Sequence, residues 1–413
     1  MKCWLRGWPL ITACACLLAP TAASAAPSEP GPNLKLERVV MLMRHGIRPP
    51  TKAQPIPVIY SAMAWPPWSV GPGLLTQRGA KGVGLIAAAD RASFIDAGLL
   101  PASGCPALDQ VSVRASKVPR AIATARAWAK SLLPGCNLRV QHPAKGAPDS
   151  LFHILEGQPA WFDGQRAYAN ALAQAPNGGL AAQASELAPQ MRRLGAILGC
   201  APPACALETD PTTLVARPHD RPDLHGPLNA ASTASESFLL EYVEGKPMRA
   251  VGWGRVTRDE IERLLIFNAI KFKYVDRPPD IAKAAAGPLA RAIVKALGSP
   301  AGSRITLLAG HDTNIADLGG LLGLHWRAAS YPADTVPPGS ALGFELYSDG
   351  RGRKVVRAFF RSQTMDQLRH LEPLGPANRP YRAYLPIPGC GSAEDALGCD
   401  LPTFTKTIEA RLQ

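Results

Sequence analysis

The sequence predicts an α/β protein: a central, mostly parallel sheet flanked by helices, carrying a smaller all-helical insertion domain. Three observations lead there. Val39 to Met43 and Ile305 to Ala309 are unbroken apolar runs, which suit strands buried on both faces of a parallel sheet. Each run ends on a polar cluster that contains a histidine. Between them, residues 146–274 are rich in Ala and Leu and read as helices.

Residues 1–25 read as an export leader. Lys2 and Arg6 supply the positive start, Leu10 to Leu18 the short apolar run, and Ala23-Ser24-Ala25 the small-residue cleavage site. A lipoprotein leader ending at Cys14 is the rival reading. No later stretch is long and apolar enough for a membrane helix, so no membrane association is expected once the leader is removed.

The first half of the α/β unit is expected over 34–145. Thr76 is a candidate cap for a helix running through Ala92, and Arg120 to Leu133 is a second helix stopped by Pro134-Gly135. The insertion, 146–274, has helical stretches at 180–198, 232–244 and 257–273. The second half, 275–413, has Asn314 to Leu322 as a further helix.

Apolar residues are 46% of the chain and charged residues 19%, which supports a sizeable core and excludes wholesale disorder. The net charge is +13, a field that attracts anions or else a plain consequence of arginine-rich composition. Long Lys/Arg runs are absent and aromatics are few, so nucleic acid is not an expected partner. Outside the leader six cysteines remain: Cys105, Cys136, Cys200, Cys205, Cys390 and Cys399. An even number in an exported chain favours three disulfides, although their pairing is open on count alone. No Cys-x-x-Cys is present, which disfavours zinc.

The chemistry is concentrated in Arg44-His45-Gly46-Ile47-Arg48-Pro49-Pro50-Thr51, directly after the first strand. Arginine forks match phosphate oxygens and stay charged at every relevant pH. A neutral imidazole between them is a competent nucleophile. Gly46 is expected to allow a tight turn. Gly310-His311-Asp312-Thr313-Asn314 follows the second strand. In open α/β sheets, sites lie at the carboxyl ends of strands. The remaining histidines, His142, His153, His219, His225, His325 and His370, are scattered and read as structural or surface residues.

These two motifs resemble those of the histidine acid phosphatases, in the branch of bacterial periplasmic phytases and glucose-1-phosphatases. The similarity runs from Leu34 to the end, strongest over 34–136 and 305–345. The resemblance implies hydrolysis of phosphate monoesters, phytate or sugar phosphates, through a phosphohistidine on His45, with Asp312 as general acid. It implies that Arg44, Arg48, Arg120 and His311 bind the phosphoryl group, with Thr51 and Thr313 as supporting donors. Arg114 and Arg126 are rivals for the place of Arg120. It also implies the pairings Cys105–Cys136, Cys200–Cys205 and Cys390–Cys399.

Lys52 and Glu236 are candidates for the substrate pocket, whereas Phe267 stands where a histidine is expected, and Lys283 with the alanines after it replaces an arginine-bearing segment. A broad-specificity acid phosphatase without phytase activity is therefore an alternative. A phosphoglycerate-mutase-like phosphotransferase is another, and a non-catalytic phosphate-binding protein a third. No cofactor and no metal is expected, and the partner is a small-molecule phosphate monoester acted on by a periplasmic or secreted monomer.

Overall fold

A computed structural model describes residues 34–200, 205–391 and 395–413; the expected leader at 1–25 lies outside the described residues. Strand β1 (Lys35–Arg44) is longer than its apolar run. Helix α1 (Gln77–Asp96) starts on Thr76, whose hydroxyl accepts the Gly79 N–H at 2.8 Å. Strand β2 (Val111–Ala115) leads into α2 (Pro119–Leu132), where proline occupies the first helical position at no cost in hydrogen bonds. A short β3 (Val140–Gln141) follows.

The insertion contributes α3 (Gly164–Leu172), α4 (Gly179–Glu186), α5 (Ala188–Leu198), α6 (Ala206–Thr209), β4 (Thr213–Arg217), β5 (Asp220–His225), α7 (Pro227–Val243), α8 (Arg258–Leu264) and α9 (Ile266–Val275). The chain then returns through α10 (Pro279–Gly298), β6 (Ile305–Gly310) and α11 (Asp312–Leu321). It closes with β7 (Ala341–Ser348), β8 (Lys354–Ser362), α12 (Met365–His370), β9 (Tyr381–Leu385), β10 (Cys399–Asp400) and α13 (Leu401–Leu412).

The main sheet is mixed, in the order β10-β8-β7-β1-β6-β2-β3, with β9 also on β8. β1, β6, β2 and β3 run parallel, and β7 lies antiparallel to β1. β8 is antiparallel to β7 and so shares the direction of β1. Alternation divides the core. Val39, Met41, Met43, Ile305 and Leu307 pack with Val83, Ile86 and Trp128 of α1 and α2. Val40, Leu42, Leu308 and Phe344 face the other way, towards α10, α11 and the insertion. Both faces are covered, which is why these strands read as continuous apolar runs.

The insertion is not helical throughout. β4 and β5 form an antiparallel hairpin in which Leu214 pairs with Leu224, both buried. The cross-strand contact stabilises a segment whose two prolines and weak alternation hide it in sequence. Nor does the insertion keep a separate core, because Phe238, Phe267 and Tyr274 belong to the same apolar cluster as Leu42 and Phe344. Arg221 of β5 pairs with Asp276 and lies 3.3 Å from Asp317 of α11, tying the hairpin to the helix that carries the second motif. Cys105–Cys136, Cys200–Cys205 and Cys390–Cys399 are disulfide-bonded, as the resemblance implies.

Candidate active site

The two motifs meet because β1 and β6 are parallel neighbours in register. Arg44 stands opposite Gly310, and the His45 N–H donates to the Gly310 carbonyl at 3.0 Å. The residues after both strands are therefore adjacent, and the His45 and His311 rings lie 5.5 Å apart at 67°. The reason for Gly46 is not the turn expected of it, since its φ is not left-handed; a Cβ there would stand 2.8 Å from Val83 and 2.9 Å from the Gly79 carbonyl. The glycine is needed for close approach to α1. Its N–H donates to Thr124 of α2 at 3.0 Å, which anchors the loop from a second helix.

His45 Nδ1 lies 2.9 Å from its neighbour's carbonyl, Gly46 O, so Nδ1 carries the hydrogen and Nε2 is the free lone pair. Arg48 Nε approaches that Nε2 at 3.4 Å. Arg44 is fully buried and donates to the Val336 carbonyl and to Glu236, and its Nη2 lies 3.1 Å from Asp312 Oδ2. Arg120, second residue of α2, brings Nη2 to 3.3 Å from His311 Nδ1. Arg114 and Arg126 are exposed, so of the three rivals Arg120 is the one brought to the site.

Asp312 opens α11, where helix N-terminal amides favour negative charge, and Oδ1 accepts the Thr313 N–H at 3.0 Å. The His311 N–H is held by Asn314 Oδ1 at 3.0 Å.

Burial, then Arg48, Arg44 and Arg120, hold the His45 imidazole well below its ordinary range, which favours the neutral ring. Burial and Arg120 do the same to His311. Burial works against the Asp312 charge, but Arg44 and Arg48 outweigh it and hold the carboxyl at about 2. Burial and Arg48 lower Arg120 to about 10, which leaves it cationic. A neutral nucleophilic nitrogen, three guanidinium groups and a carboxyl group thus converge on one space. That arrangement fits the transfer of a phosphoryl group, whose equatorial oxygens need positive charge and whose nucleophile must sit in line.

Other expected residues fall elsewhere. Thr51, the last residue of the motif, and Lys52 after it are exposed. A Cβ on Gly73 would stand 3.7 Å from both the Thr51 methyl group and Arg120 Nη1. Thr313 meets Asp312 through its backbone. Glu236 is turned onto Arg44 as its ion-pair partner. Phe267 is fully buried in the core. Among the described residues, no group of three or more His, Cys, Asp or Glu side chains is gathered as metal ligands.

The sequence reading passes over Ser116 and Glu156 at the site and leaves His153 among the structural or surface histidines. Ser116, the first residue after β2, places Oγ 3.1 Å from His311 Nε2. His153 Nε2 lies 3.2 Å from the same nitrogen, and Glu156 backs His153. The strand-end rule that found His45 and His311 also reaches Ser116, had the short alternating Val111–Ala115 been taken as a strand. No local signal marks His153.

The family described as the histidine phosphatase superfamily (branch 2) matches residues 35–174 and 237–361. Phytase AppA of Escherichia coli is 31% identical over 96% of this chain and 96% of its own length. Glucose-1-phosphatase of Salmonella typhimurium is 29% identical over 91% and 92% of the two chains. The structure of Hafnia alvei phytase in complex with tartrate superposes with a TM-score of 0.86 at 31% identity, covering 93% of this chain and 98% of that one.

Proposed function

Because the chain belongs to branch 2 of the histidine phosphatase superfamily, and is thus a phosphoric monoester hydrolase, we propose that it works through a covalent phosphohistidine on His45. The observation that carries this reading is the His45 ring, with Nδ1 tied to Gly46 O and the Nε2 lone pair facing Arg48 Nε at 3.4 Å, with Arg44 and Arg120 nearby. Nε2 attacks phosphorus, the ester oxygen leaves, and Asp312 supplies the proton to that oxygen. Water then attacks the phosphohistidine and releases phosphate, with Asp312 recovering a proton from the water. Arg44, Arg48, Arg120 and His311 hold the equatorial oxygens throughout.

The substrate class follows from the relatives, which are named for phytate and glucose 1-phosphate. In this chain an inositol or sugar phosphate is the proposed ester. The three disulfides and the leader-like residues 1–25 support a periplasmic or secreted enzyme.

The test is trapping. Rapid quenching without acid, with labelled ester, is expected to leave acid-labile, alkali-stable phosphate on the protein and none on His45→Ala. If no label is retained and His45→Ala keeps more than about a hundredth of the rate, a loss smaller than the ~10²–10⁴-fold that acid–base help alone contributes, the covalent route is wrong. A panel of phytate, glucose 1-phosphate and an aryl phosphate decides the ester.

A further inference from the structure

His311 Nδ1 faces Arg120, and its Nε2 faces the opposite way, into a second layer of polar groups. Ser116 Oγ lies 3.1 Å from that Nε2 and His153 Nε2 3.2 Å. Ser116 Oγ is also 2.8 Å from His153 Nε2. On the far side of His153, Nδ1 meets Glu156 Oε1 at 2.6 Å, and Glu156 Oε2 meets Lys117 Nζ at 3.0 Å. The two imidazole planes are inclined at 58°, so the rings meet by their nitrogens rather than by stacking.

The direction of these hydrogen bonds follows from the carboxylate end. Glu156 accepts, so His153 Nδ1 carries the hydrogen, and in the neutral ring that burial favours His153 Nε2 is a lone pair. The Ser116 hydroxyl donates to that lone pair, and its oxygen accepts from His311 Nε2–H. His311 is thereby held with its hydrogen on Nε2 and a lone pair on Nδ1, which agrees with donation from Arg120 Nη2. A phosphoryl oxygen brought to Nδ1 would meet lone pair with lone pair. His311 can donate to it only by taking a second proton.

Resting on the phosphatase reading, we propose that Ser116, His153 and Glu156 are positioning residues that fix the tautomer of His311 and supply the negative charge against which His311 becomes an imidazolium when phosphate binds. The proton comes with the ligand. A phosphate group with a second pKa of about 6 is a monoanion in acid and carries an O–H. That O–H bond breaks, an Nδ1–H bond forms, and the new imidazolium donates back to the dianion. The charged and titratable groups facing His311 are Arg120, His153, Asp312, Arg48 and His45; those facing His153 are Glu156, Asp149 and Lys117. The turn that carries His153 is anchored independently of its ring. Asn314 donates to the Phe152 carbonyl at 2.8 Å, Asp149 accepts the Lys117 N–H at 2.9 Å, and the His153 N–H bonds Asp149 O at 2.9 Å.

Two measurements on the whole protein test this. Nitrogen-15 spectra of histidine-labelled protein near pH 5 should show His311 protonated on Nε2 alone when free, and on both nitrogens with inorganic phosphate bound. A neutral ring in the complex, or hydrogen on Nδ1 in the free protein, overturns the proposal. The second measurement is inhibition by inorganic phosphate across pH. Glu156→Gln removes the carboxylate and should move the alkaline limb to lower pH by about half a unit or more, and Lys117→Met should move it upward. Glu156→Asp should restore most of the parent profile, which a merely structural role does not require. Limbs unmoved in both charge variants overturn the proposal. A parent protein that hydrolyses no phosphate monoester would instead sink the phosphatase reading itself.

Discussion

Arg44 Nη2 stands 3.1 Å from Asp312 Oδ2, so the group assigned to give up a proton is held ionised in the free protein, at about 2. Proton donation therefore depends on the ligand. A bound phosphoryl group competes for Arg44 and adds negative charge beside Asp312, and both effects raise its pKa.

The first expectation follows from that. The kcat profile should fall as pH rises through the carboxyl pKa of the complex, and that limb should lie well above the value of about 2 in the free protein. Asp312→Asn should slow an alkyl phosphate by ~10²-fold or more beyond its effect on p-nitrophenyl phosphate, because a nitrophenolate leaves without help. Measured on the phosphorylation step, equal losses on both esters would mean that Asp312 only orients groups.

Gly79 gives a second. Alanine is ordinarily the better helix former, by about 1 kcal/mol. Here a Cβ would lie 2.3 Å from the Ile47 carbonyl, in the loop between His45 and Arg48. Gly79→Ala should lower the Tm and raise KM, whereas Gly84→Ala meets only the Ser131 hydroxyl and should be neutral or stabilising. A Tm for Gly79→Ala at or above the parent's would show that the loop yields freely.

Glu241 of α7 gives a third. It is fully buried, and Oε2 accepts the Gly252 N–H at 2.9 Å. Burial pushes its pKa up to about 7 from 4.5, against the Gly252 bond and Lys246. The folded state thus binds more protons than the unfolded one between those values. Stability contributed by this group is present below 4.5 and lost as pH rises towards 7. Glu241→Gln should match the parent in urea unfolding near pH 4 and exceed it near pH 8, by ~2–3 kcal/mol. A constant difference at both pH values would trace to packing rather than charge.

The disulfides should rank by the loop they close. Cys105–Cys136 spans 31 residues and Cys200–Cys205 spans 5. Replacing each pair by serines should cost about 3–4 kcal/mol for the first and about 2 kcal/mol for the second, if loop entropy of the unfolded chain dominates. Urea unfolding of the two double variants checks the order, and a reversal would mean that contacts in the folded state decide it.

The sequence by itself determined the two strands that bear the motifs, the residues Arg44, His45, Arg48, His311 and Asp312, and the flanking helices. Each is written in a few consecutive residues: an unbroken apolar run needs only that both faces of the strand be covered, and a cap needs only three residues. Tertiary structure decided what no local pattern holds. The strand order β1-β6-β2 brings Ser116 to His311, and the turn at 149–157 brings His153 and Glu156 behind it. Glu236 is carried onto Arg44 by a helix buried nearly all round, so its position along the chain says nothing of its partner. The ionisation of Asp312 likewise depends on the distance to Arg44. Hydrogen bonds and Coulomb interactions depend on separation in space, and chain periodicity carries no record of which distant elements a sheet sets side by side.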